Sequence, residues 1–291
     1  MTALLVCCGL ATLDVVQVVD RLPAADEKVV ARSLDVTFGG PAANAAATAA
    51  ALGVRTVLVT ALGTGPVGDL VRAGLAAAGV EVVDLLDGPG TPAVSTVLVT
   101  QGTGERAVVS VNAVGVPNLA PRARALGVHA GATALLVDGH HLGAAQVLAA
   151  DARARGIPVL LDGGSWKPGL DGLLAHVDHA VLSADFRLPD GAADLLDGVA
   201  DLGPCLVAQS AGGGPVRVRT ADAVGGRSST VLHPPTVPAA EVVDTLGAGD
   251  VLHGATAASL ARGHDVLTAL ADGIARASES VRHPGALGWV P

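Results

Sequence analysis

Apolar residues along the chain fall into two alternating patterns. Short runs rich in Val and Leu predict buried strands, and Ala- and Leu-rich stretches with apolar positions at helical spacing predict helices. Several helical stretches end at a glycine, a common residue just past a helix C-terminus. The predicted strands are Ala3–Cys8, Arg55–Leu62, Ala132–Val137, Pro158–Leu161, Ala180–Leu182 and Cys205–Ala208, and the predicted helices are Pro41–Leu52, Val67–Ala78 and Gly143–Arg155. This alternation predicts βαβ units around a parallel sheet.

Two regions interrupt the alternation. Val15–Phe38 and Thr91–Val111 contain β-branched runs with no helical pattern between them. The segment Gly102-Thr103-Gly104 has the composition of a hairpin turn that joins Ala93–Thr100 to Arg106–Val111. We therefore predict a small β-sheet that projects from the main domain as a lid and is formed by residues of about 14–38 and 91–111.

The remaining pattern and the composition predict a single large domain. Gly249–Val281 predicts two helices with a break near Gly263. Of the 291 residues, 50% are hydrophobic and 1% aromatic, so the core must consist mainly of Ala, Val and Leu. Such a core suits parallel strands covered by helices. We predict one α/β domain over residues 1–291, with a central, mainly parallel sheet flanked by helices and the small β lid.

Charge and cysteine usage exclude several other classes of protein. The formal net charge is −9, and neither a basic stripe nor aromatic residues for base stacking are present, which argues against a nucleic-acid binder. The N-terminus lacks a basic segment typical of signal peptides, and no apolar run is long enough for a membrane span. Cys7, Cys8 and Cys205 have neither zinc-ligand spacing nor an even disulfide framework. We expect buried thiols in a reducing cytoplasm.

The segment from Glu241 to Asp250, with the sequence EVVDTLGAGD, carries the clearest chemistry. Gly247 and Gly249 allow the backbone to bend tightly and to approach a ligand closely. A helix pattern follows, and a helix N-terminus offers unpaired N–H groups and a positive dipole end for a phosphoryl group. Asp250 lies at this position and is a candidate proton acceptor for an attacking hydroxyl. A short Gly-x-Gly-Asp string by itself is more typical of an acidic helix cap.

The longer string Asp-Thr-x-Gly-Ala-Gly-Asp resembles the nucleotide-binding signature of the ribokinase-like (PfkB) carbohydrate kinases. This resemblance implies a ribokinase-like three-layer fold and an ATP-dependent transfer of phosphate to a hydroxyl with Mg²⁺ present. It also implies that Asp250 is the catalytic base and that the amides of Gly247, Ala248 and Gly249 form an anion hole. In this family a monovalent cation often binds near the signature, which implies a K⁺ site at Asp244 and Leu246.

A second segment, Gly39-Gly40-Pro41-Ala42-Ala43-Asn44, opens an Ala-rich helix and is similar to a substrate-binding element of the same family. Without the resemblance it would be interpreted as an ordinary glycine turn. Paired glycines let a sugar pack against the backbone, and the amide of Asn44 can donate and accept hydrogen bonds. The resemblance implies that substrate binds at Asp14, Gly39, Gly40 and Asn44.

The resemblance extends from Val6 to Val290 and looks closest to ketohexokinases. The residues that it implies for ATP binding are Arg106, Ala208, Gln209, Ser210, Ala211, Gly213, Gly247, Gly249 and Gly285.

Pro41 departs from the pattern, because ketohexokinases have a sugar-binding asparagine there and proline offers no side-chain hydrogen bond. Ser183-Ala184-Asp185 lacks the Asn-x-x-Glu pattern that many relatives have near magnesium, and Leu252 replaces a common aromatic residue. Related kinases often pair through their lids, which implies a homodimer.

Other functions stay open from the residues alone. Gly63–Gly68 matches G-x-G-x-x-G, and Asp84 follows after about 20 residues, as in a dinucleotide-binding fingerprint. This pattern predicts an NAD-dependent oxidoreductase. Further alternatives are a nucleoside kinase of the same fold and a catalytically silent regulator. Because Lys28 and Lys167 are the only lysines and neither lies in a Walker-type loop, Walker-type kinases are excluded by pattern. Among acceptors, ketohexoses come first, then ribose-like sugars, then nucleosides.

Overall fold

Two separate β-sheets organise the computed structural model, which describes residues 2–102, 105–189, 191–221 and 226–290. The large sheet contains β1 (Leu4–Cys8), β4 (Arg55–Thr60), β5 (Val80–Asp84), β8 (Ala134–Val137), β9 (Val159–Gly163), β10 (His179–Leu182), β11 (Leu206–Ala211), β12 (Gly214–Ala221) and β13 (Arg227–Leu232). The small sheet contains β2 (Thr12–Val19), β3 (Ser33–Gly39), β6 (Ala93–Thr100) and β7 (Arg106–Ser110). The helices are α1 (Pro41–Ala51), α2 (Pro66–Ala77), α3 (Ala120–Leu126), α4 (Leu142–Ala154), α5 (Leu170–Leu174), α6 (Leu195–Ala200), α7 (Ala248–Ala261) and α8 (Val266–Ser280).

The strand order of the large sheet creates a crevice beside β1. Within the described residues the order is β13-β12-β11-β10-β9-β8-β1-β4-β5, and the strands from β11 to β5 are parallel. After β1 the chain adds β4 and β5 on one side and later adds β8 to β11 on the other. The carboxyl ends of β1 and β8 therefore lie at a topological switch point, where open α/β sheets bind their ligands.

Helices cover both faces of the large sheet, which gives three layers. Because side chains alternate along a strand, Leu5 and Cys7 of β1 join one core, while Leu4, Val6 and Cys8 join the other. The first core contains residues of α1, α2, α7 and α8, and the second contains residues of α3, α4, α5 and α6. The predicted three-layer, mainly parallel fold is confirmed.

Small residues bring α1 and α7 into close contact. The buried face of α1 consists of alanines and Thr48, and every residue of α7 from Val251 to Ala261 is buried. A Cβ added to Gly254 would lie 2.4 Å from the carbonyl oxygen of Ala45, so only glycine fits at this crossing. The close packing places the first turn of α1 directly beside the first turn of α7.

The small sheet has the order β3-β2-β6-β7, with antiparallel outer pairs around the parallel pair of β2 and β6. It confirms the predicted separate sheet, although Thr103 and Gly104 of the predicted turn lie outside the described residues. β12 and β13 were not predicted from the sequence. They extend the large sheet as an antiparallel edge beyond β11. No helix in the described ranges has the length and hydropathy needed to cross a bilayer.

Candidate active site

The site begins at the strand switch point, where Asp138 follows β8. A Cβ added to Gly9 would lie 2.2 Å from the carboxyl carbon of Asp138, so the end of β1 must be glycine. Asp138 Oδ2 accepts hydrogen bonds from the backbone N–H groups of Leu10 (2.8 Å) and Ala42 (3.2 Å). Burial raises the pKa of Asp138, but the charge and side chain of His140 and the backbone N–H groups of Leu10 and His140 together hold the pKa below its usual value. The buried carboxylate thus fixes the start of α1 against β1 and β8.

The turn before α7 requires glycine at Gly247. This residue has a φ of 74°, and an added Cβ would lie 2.4 Å from the Cβ of Ala286. Gly249 differs, because its φ is not in the left-handed region and an added Cβ would meet no heavy atom within 4 Å. The predicted Gly-Ala-Gly segment therefore forms the N-terminus of α7, with open space above Gly249. Such a terminus presents N–H groups that the helix itself does not use.

Asp250 lies in the first turn of α7 and faces the first turn of α1. Asn44 donates a hydrogen bond from Nδ2 to Asp250 Oδ2 at 2.7 Å. Burial and the charge of Asp162 raise the pKa of Asp250 to about 7, although the Asn44 hydrogen bond opposes this rise. A carboxyl group that ionises near neutral pH is well suited to general-base chemistry. The predicted base and Asn44 are thus in direct contact.

Sequence reasoning missed a second acidic group behind Asp250. Asp162 lies near the end of β9, and its Oδ2 is 3.2 Å from Nδ1 of His253 in α7. Burial and the charge of Asp138 raise the pKa of Asp162 to about 8, while His140 and Lys167 act in the opposite direction. The signal for Asp138 and Asp162 was present in the sequence, because each is an acidic residue that interrupts an apolar run at a strand end.

Asp14 projects from β2 of the small sheet toward the glycine pair. Thr12 Oγ1 donates to Asp14 Oδ1 at 2.6 Å, and an added Cβ on Gly39 would collide with the Asp14 carboxylate. Burial raises the pKa of Asp14, and hydrogen bonds from Thr12 and Ser95 oppose this rise. Ser95 was not predicted as a site residue, and it lies on β6 beside Asp14 in the strand register.

The glycine pair and Pro41 form the start of α1. Gly40 has a φ of 96°, and an added Cβ would lie 2.5 Å from the carbonyl oxygen of Leu10. Pro41 occupies the first helical position, where its missing N–H costs no helical hydrogen bond. The predicted residues Asp14, Gly39, Gly40 and Asn44 therefore lie along one continuous path from the small sheet to Asp250.

Other predicted residues contact the loop before α7 or belong to it. Arg106, at the start of β7, donates from Nη1 to Thr245 Oγ1 at 3.4 Å, so the small sheet reaches the signature loop. The carboxylate of Asp244 accepts hydrogen bonds from the N–H groups of Leu246 (2.8 Å) and Gly285 (2.9 Å). Asp244 therefore braces the loop against the C-terminal segment.

The residues predicted around β11 differ in exposure. The Ala208 side chain is fully buried in the core. The Gln209 side chain is engaged in hydrogen bonds within the protein, because its amide donates to Ser183 O and its Oε1 accepts from Arg217. Ser210 and Ala211 end β11, and Gly213 follows it. Ala211 and Gly213 are exposed, and Ser210 is partly exposed. An Ala at a strand end resembles a ligand-binding position in sequence, but the alternation of the strand decides which way it faces.

The G-x-G-x-x-G segment forms a closed turn between β4 and α2. Both oxygens of Asp84 accept backbone hydrogen bonds, from the N–H groups of Leu62 (3.0 Å) and Gly63 (2.9 Å). Arg72 Nη2 also lies 3.0 Å from Asp84 Oδ2. The acidic residue that a dinucleotide fingerprint would direct toward a ribose is therefore engaged by the turn itself.

A partly buried carboxylate at a helix N-terminus, at the switch point of a three-layer α/β sheet, is an arrangement suited to phosphoryl transfer to a hydroxyl. A sequence model described as pfkB family carbohydrate kinase matches residues 2–291, and the chain belongs to this family.

Solved structures agree with this assignment of the fold. A putative ribokinase from Agrobacterium tumefaciens is 26% identical, with a TM-score of 0.80 and coverage of 100% of this chain and 95% of that chain. The ribokinase of Arabidopsis thaliana, solved with ribose and ATP, is 23% identical, with a TM-score of 0.74 and coverage of 100% and 96%. The ribokinase of Cryptococcus neoformans, solved with ADP, is 19% identical, with a TM-score of 0.71 and coverage of 100% and 97%.

Proposed function

We propose that this carbohydrate kinase transfers the γ-phosphoryl group of ATP to a hydroxyl of a sugar or sugar-like molecule, with Asp250 as the general base. The observation that carries the proposal is the contact between Asp250 and Asn44 at the N-terminus of α7. The contact holds the carboxylate in place, and the helix end provides N–H groups for a phosphoryl group. The structurally similar ribokinases solved with ribose and ATP or with ADP support a nucleotide and a sugar as ligands.

In this mechanism the acceptor hydroxyl gives its proton to Asp250 while its oxygen attacks the γ-phosphorus. The bond between the γ-phosphorus and the bridging oxygen breaks, and ADP leaves. The amides of Gly247, Ala248 and Gly249 would stabilise the charge on the transferring group, and Arg106 would contact the phosphates from the small sheet. Asp14, Gly39, Gly40 and Asn44 would hold the hydroxyls of the acceptor. Closure of the small sheet over the crevice would exclude water and so limit ATP hydrolysis.

In this proposal the divalent metal ion binds mainly to the nucleotide. Among the described residues no group of three His, Cys, Asp or Glu side chains is arranged to hold a metal. This fits Mg²⁺, because Mg²⁺ keeps several waters and commonly binds through substrate phosphates and one or two carboxylates. Bound Mg²⁺ would neutralise charge on the phosphates. For K⁺, Asp244 and Leu246 remain the proposed site, although both Asp244 oxygens already accept backbone hydrogen bonds.

The acceptor proposed first is a ketohexose, followed by ribose-like sugars and then nucleosides. Pro41 argues against fructose in particular, because it lies next to Gly40 at the start of α1 and has no side-chain hydrogen bond to offer. Asp14 and Asn44 are suited to polyhydroxylated acceptors generally, since carboxylate and amide groups bind hydroxyls of many sugars. The choice among these acceptors must be made by assay.

We also propose a homodimer through the outer face of the small sheet. Exposed apolar residues gather on β3 and β7 and next to them, namely Val30, Leu34, Val36, Val108, Val109 and Val111. Val36, Val15, Thr96 and Val109 are register partners across the four strands, so Val36 and Val109 share one face of the sheet. Exposed apolar surface commonly marks a contact between proteins. Sedimentation velocity of the wild type and of a Leu34→Lys and Val109→Lys double variant tests this. A dimer that the double variant converts to monomer supports the proposal, and a monomeric wild type contradicts it.

The experiment that tests the kinase proposal is ADP production from Mg-ATP across ketoses, aldoses, sugar acids and nucleosides, with a control that lacks acceptor. Turnover with one class, abolished in Asp250→Asn, supports the proposal and identifies the acceptor. ATP binding without turnover across a broad panel favours a catalytically silent regulator. NAD binding without ATP binding would instead restore the dinucleotide interpretation of Gly63–Gly68.

A further inference from the structure

His253 occupies a buried position between the large sheet and the start of α7. Its Nδ1 lies 2.6 Å from the carbonyl oxygen of Gly249, and its Nε2 lies 3.0 Å from the carbonyl oxygen of Val181 at β10. The side chain is 6% exposed, and that of Asp162 beside it is 7% exposed. The ring therefore connects the first turn of α7 to the ends of two neighbouring strands.

A backbone carbonyl oxygen lies within hydrogen-bond distance of each ring nitrogen of His253. A carbonyl oxygen only accepts hydrogen bonds, and a neutral imidazole has one N–H donor and one bare nitrogen. In either neutral tautomer, one carbonyl oxygen would face a nitrogen lone pair at hydrogen-bond distance. Only the doubly protonated ring donates to both Gly249 and Val181. This geometry favours the charged form of His253.

Asp162 is the candidate for the opposite charge, because its pKa is raised by burial and by Asp138 and would fall beside a charged His253. Its Oδ2 lies 3.2 Å from Nδ1 of His253 and is buried without a hydrogen-bond partner among the described residues. Burying an ionised carboxylate without a nearby positive charge costs free energy, so a cation beside Asp162 would stabilise its ionised form. Lys167 and His140 also act favourably on this carboxylate.

We propose that His253 carries a positive charge, pairs with Asp162, and acts as a positioning residue that holds the first turn of α7 and keeps Asp250 available as a base. The catalytic part of this inference rests on the proposed function, whereas the charge state of His253 does not. The charged groups that face the pair are Asp250 on α7, Asp138 and His140 after β8, and Lys167 after β9.

Two opposing effects act on the protonation of His253. Burial is the largest effect and lowers the pKa of His253 below its usual value, although the carbonyl oxygen of Val181, the charge of Asp250 and the carbonyl oxygen of Gly249 act in the opposite direction. The two carbonyl contacts favour the charged ring against this effect of burial, because no neutral tautomer satisfies both of them. Loss of this charge would raise the pKa of Asp250, and loss of the Asp162 charge would lower it.

The charge state is tested on the ligand-free protein by ¹⁵N NMR of histidine side chains, with His253→Asn used to assign the signal. We expect both His253 nitrogens to carry protons at pH 7. One protonated and one bare nitrogen would overturn the proposal. This measurement requires no substrate, so it distinguishes failure of this inference from failure of the kinase assignment.

The positioning role is tested by the pH dependence of kcat/KM. We expect His253→Asn to move the acid limb to higher pH and Asp162→Asn to move it to lower pH, each by about 1–3 pH units. His264→Asn is the matched control, because His264 forms a similar pair with Asp272 at 3.6 Å but both side chains are about half exposed. Its acid limb should not move. If His253→Asn does not fold, Asp162→Asn carries the test, and unchanged midpoints in the folded variants would overturn the role.

Discussion

The large and small sheets lie on two sides of the same crevice but differ in burial. β1 and β8 are buried along their whole length, whereas β3 and β7 are mostly exposed. The large-sheet side holds Asp250, which Asn44 contacts directly. The small-sheet side contributes Asp14 and Arg106. The proposed base thus lies beside the core, whereas the proposed ligand contacts Asp14 and Arg106 lie on a thinner element.

The difference in burial predicts a difference in mobility between the two sheets. Elements with few buried apolar contacts open at lower free energy than core elements do. The small sheet can therefore change its position relative to the crevice while the contact between Asn44 and Asp250 is preserved. We expect removal of the proposed base on the large-sheet side to change turnover, and substitutions on the small-sheet side to change ligand affinity.

The largest effect is expected from Asp250→Asn, which removes the proposed base from the large-sheet side. Turnover should fall about 10²–10⁴-fold, the usual contribution of a positioned acid–base group, while ATP affinity stays close to wild type. Steady-state ADP release and calorimetric ATP binding measure the two quantities. Asp171→Asn, at an exposed site in α5, is the matched control and should behave as wild type. Near-normal turnover in Asp250→Asn would remove the base assignment.

The two glycines of the signature allow a sharper test on the same side. Gly249→Ala places a Cβ in open space, so it should preserve stability but weaken ATP binding, by roughly tenfold or more, if phosphate approaches there. In Gly247→Ala the alanine must adopt a left-handed φ, and its Cβ collides with Ala286. This variant should lower the free energy of unfolding by about 1–3 kcal/mol. Thermal unfolding and ATP titration of both variants separate the effects. Unchanged ATP affinity in Gly249→Ala would place the phosphates elsewhere.

Much of this architecture could be predicted because the two hydrophobic patterns differ clearly. The Ala-rich α1, which begins at Pro41 and is followed by Gly53, was predicted to within one residue at its C-terminal end, since proline and glycine mark its limits. β12 and β13 were missed because Gly214–Ala221 and Arg227–Leu232 mix charged and apolar residues, as expected for strands at an exposed sheet edge.

Contacts within the candidate site were predicted only where the residues lie close together in sequence. The signature glycines and Asp250 form one local string, so their joint role at a helix N-terminus is readable. The contact of Asn44 with Asp250 spans 206 residues and depends on how closely α1 and α7 pack. Asp162 and His253 were missed for the same reason, since neither has a neighbour in sequence that indicates a charged pair.

On the small-sheet side, Arg106→Ala should weaken ATP binding and leave the chemical step intact. The Arg106 guanidinium reaches Thr245 within the signature, where it would meet phosphate oxygens. Loss of a hydrogen bond to a charged group costs about 1.5–3 kcal/mol, which corresponds to roughly a 10- to 150-fold rise in the KM for ATP. Arg124→Ala, on exposed α3, serves as the control. A fall in kcat with unchanged KM would contradict the division between the two sheets.

The smallest effect is expected from Thr12→Val, which keeps the shape of the buried side chain and removes its hydrogen bond to Asp14. Without the donor at 2.6 Å, the pKa of Asp14 should rise further and its carboxylate should be held less firmly. The loss of one such bond is worth about 0.5–1.5 kcal/mol, so the KM for the acceptor should rise roughly 2- to 12-fold while the KM for ATP stays constant. Thr96→Val, exposed on the neighbouring strand β6, controls for the change of residue type. If Thr12→Val alters the KM for ATP instead, then Asp14 faces the nucleotide, and acceptor binding must depend on the residues of α1.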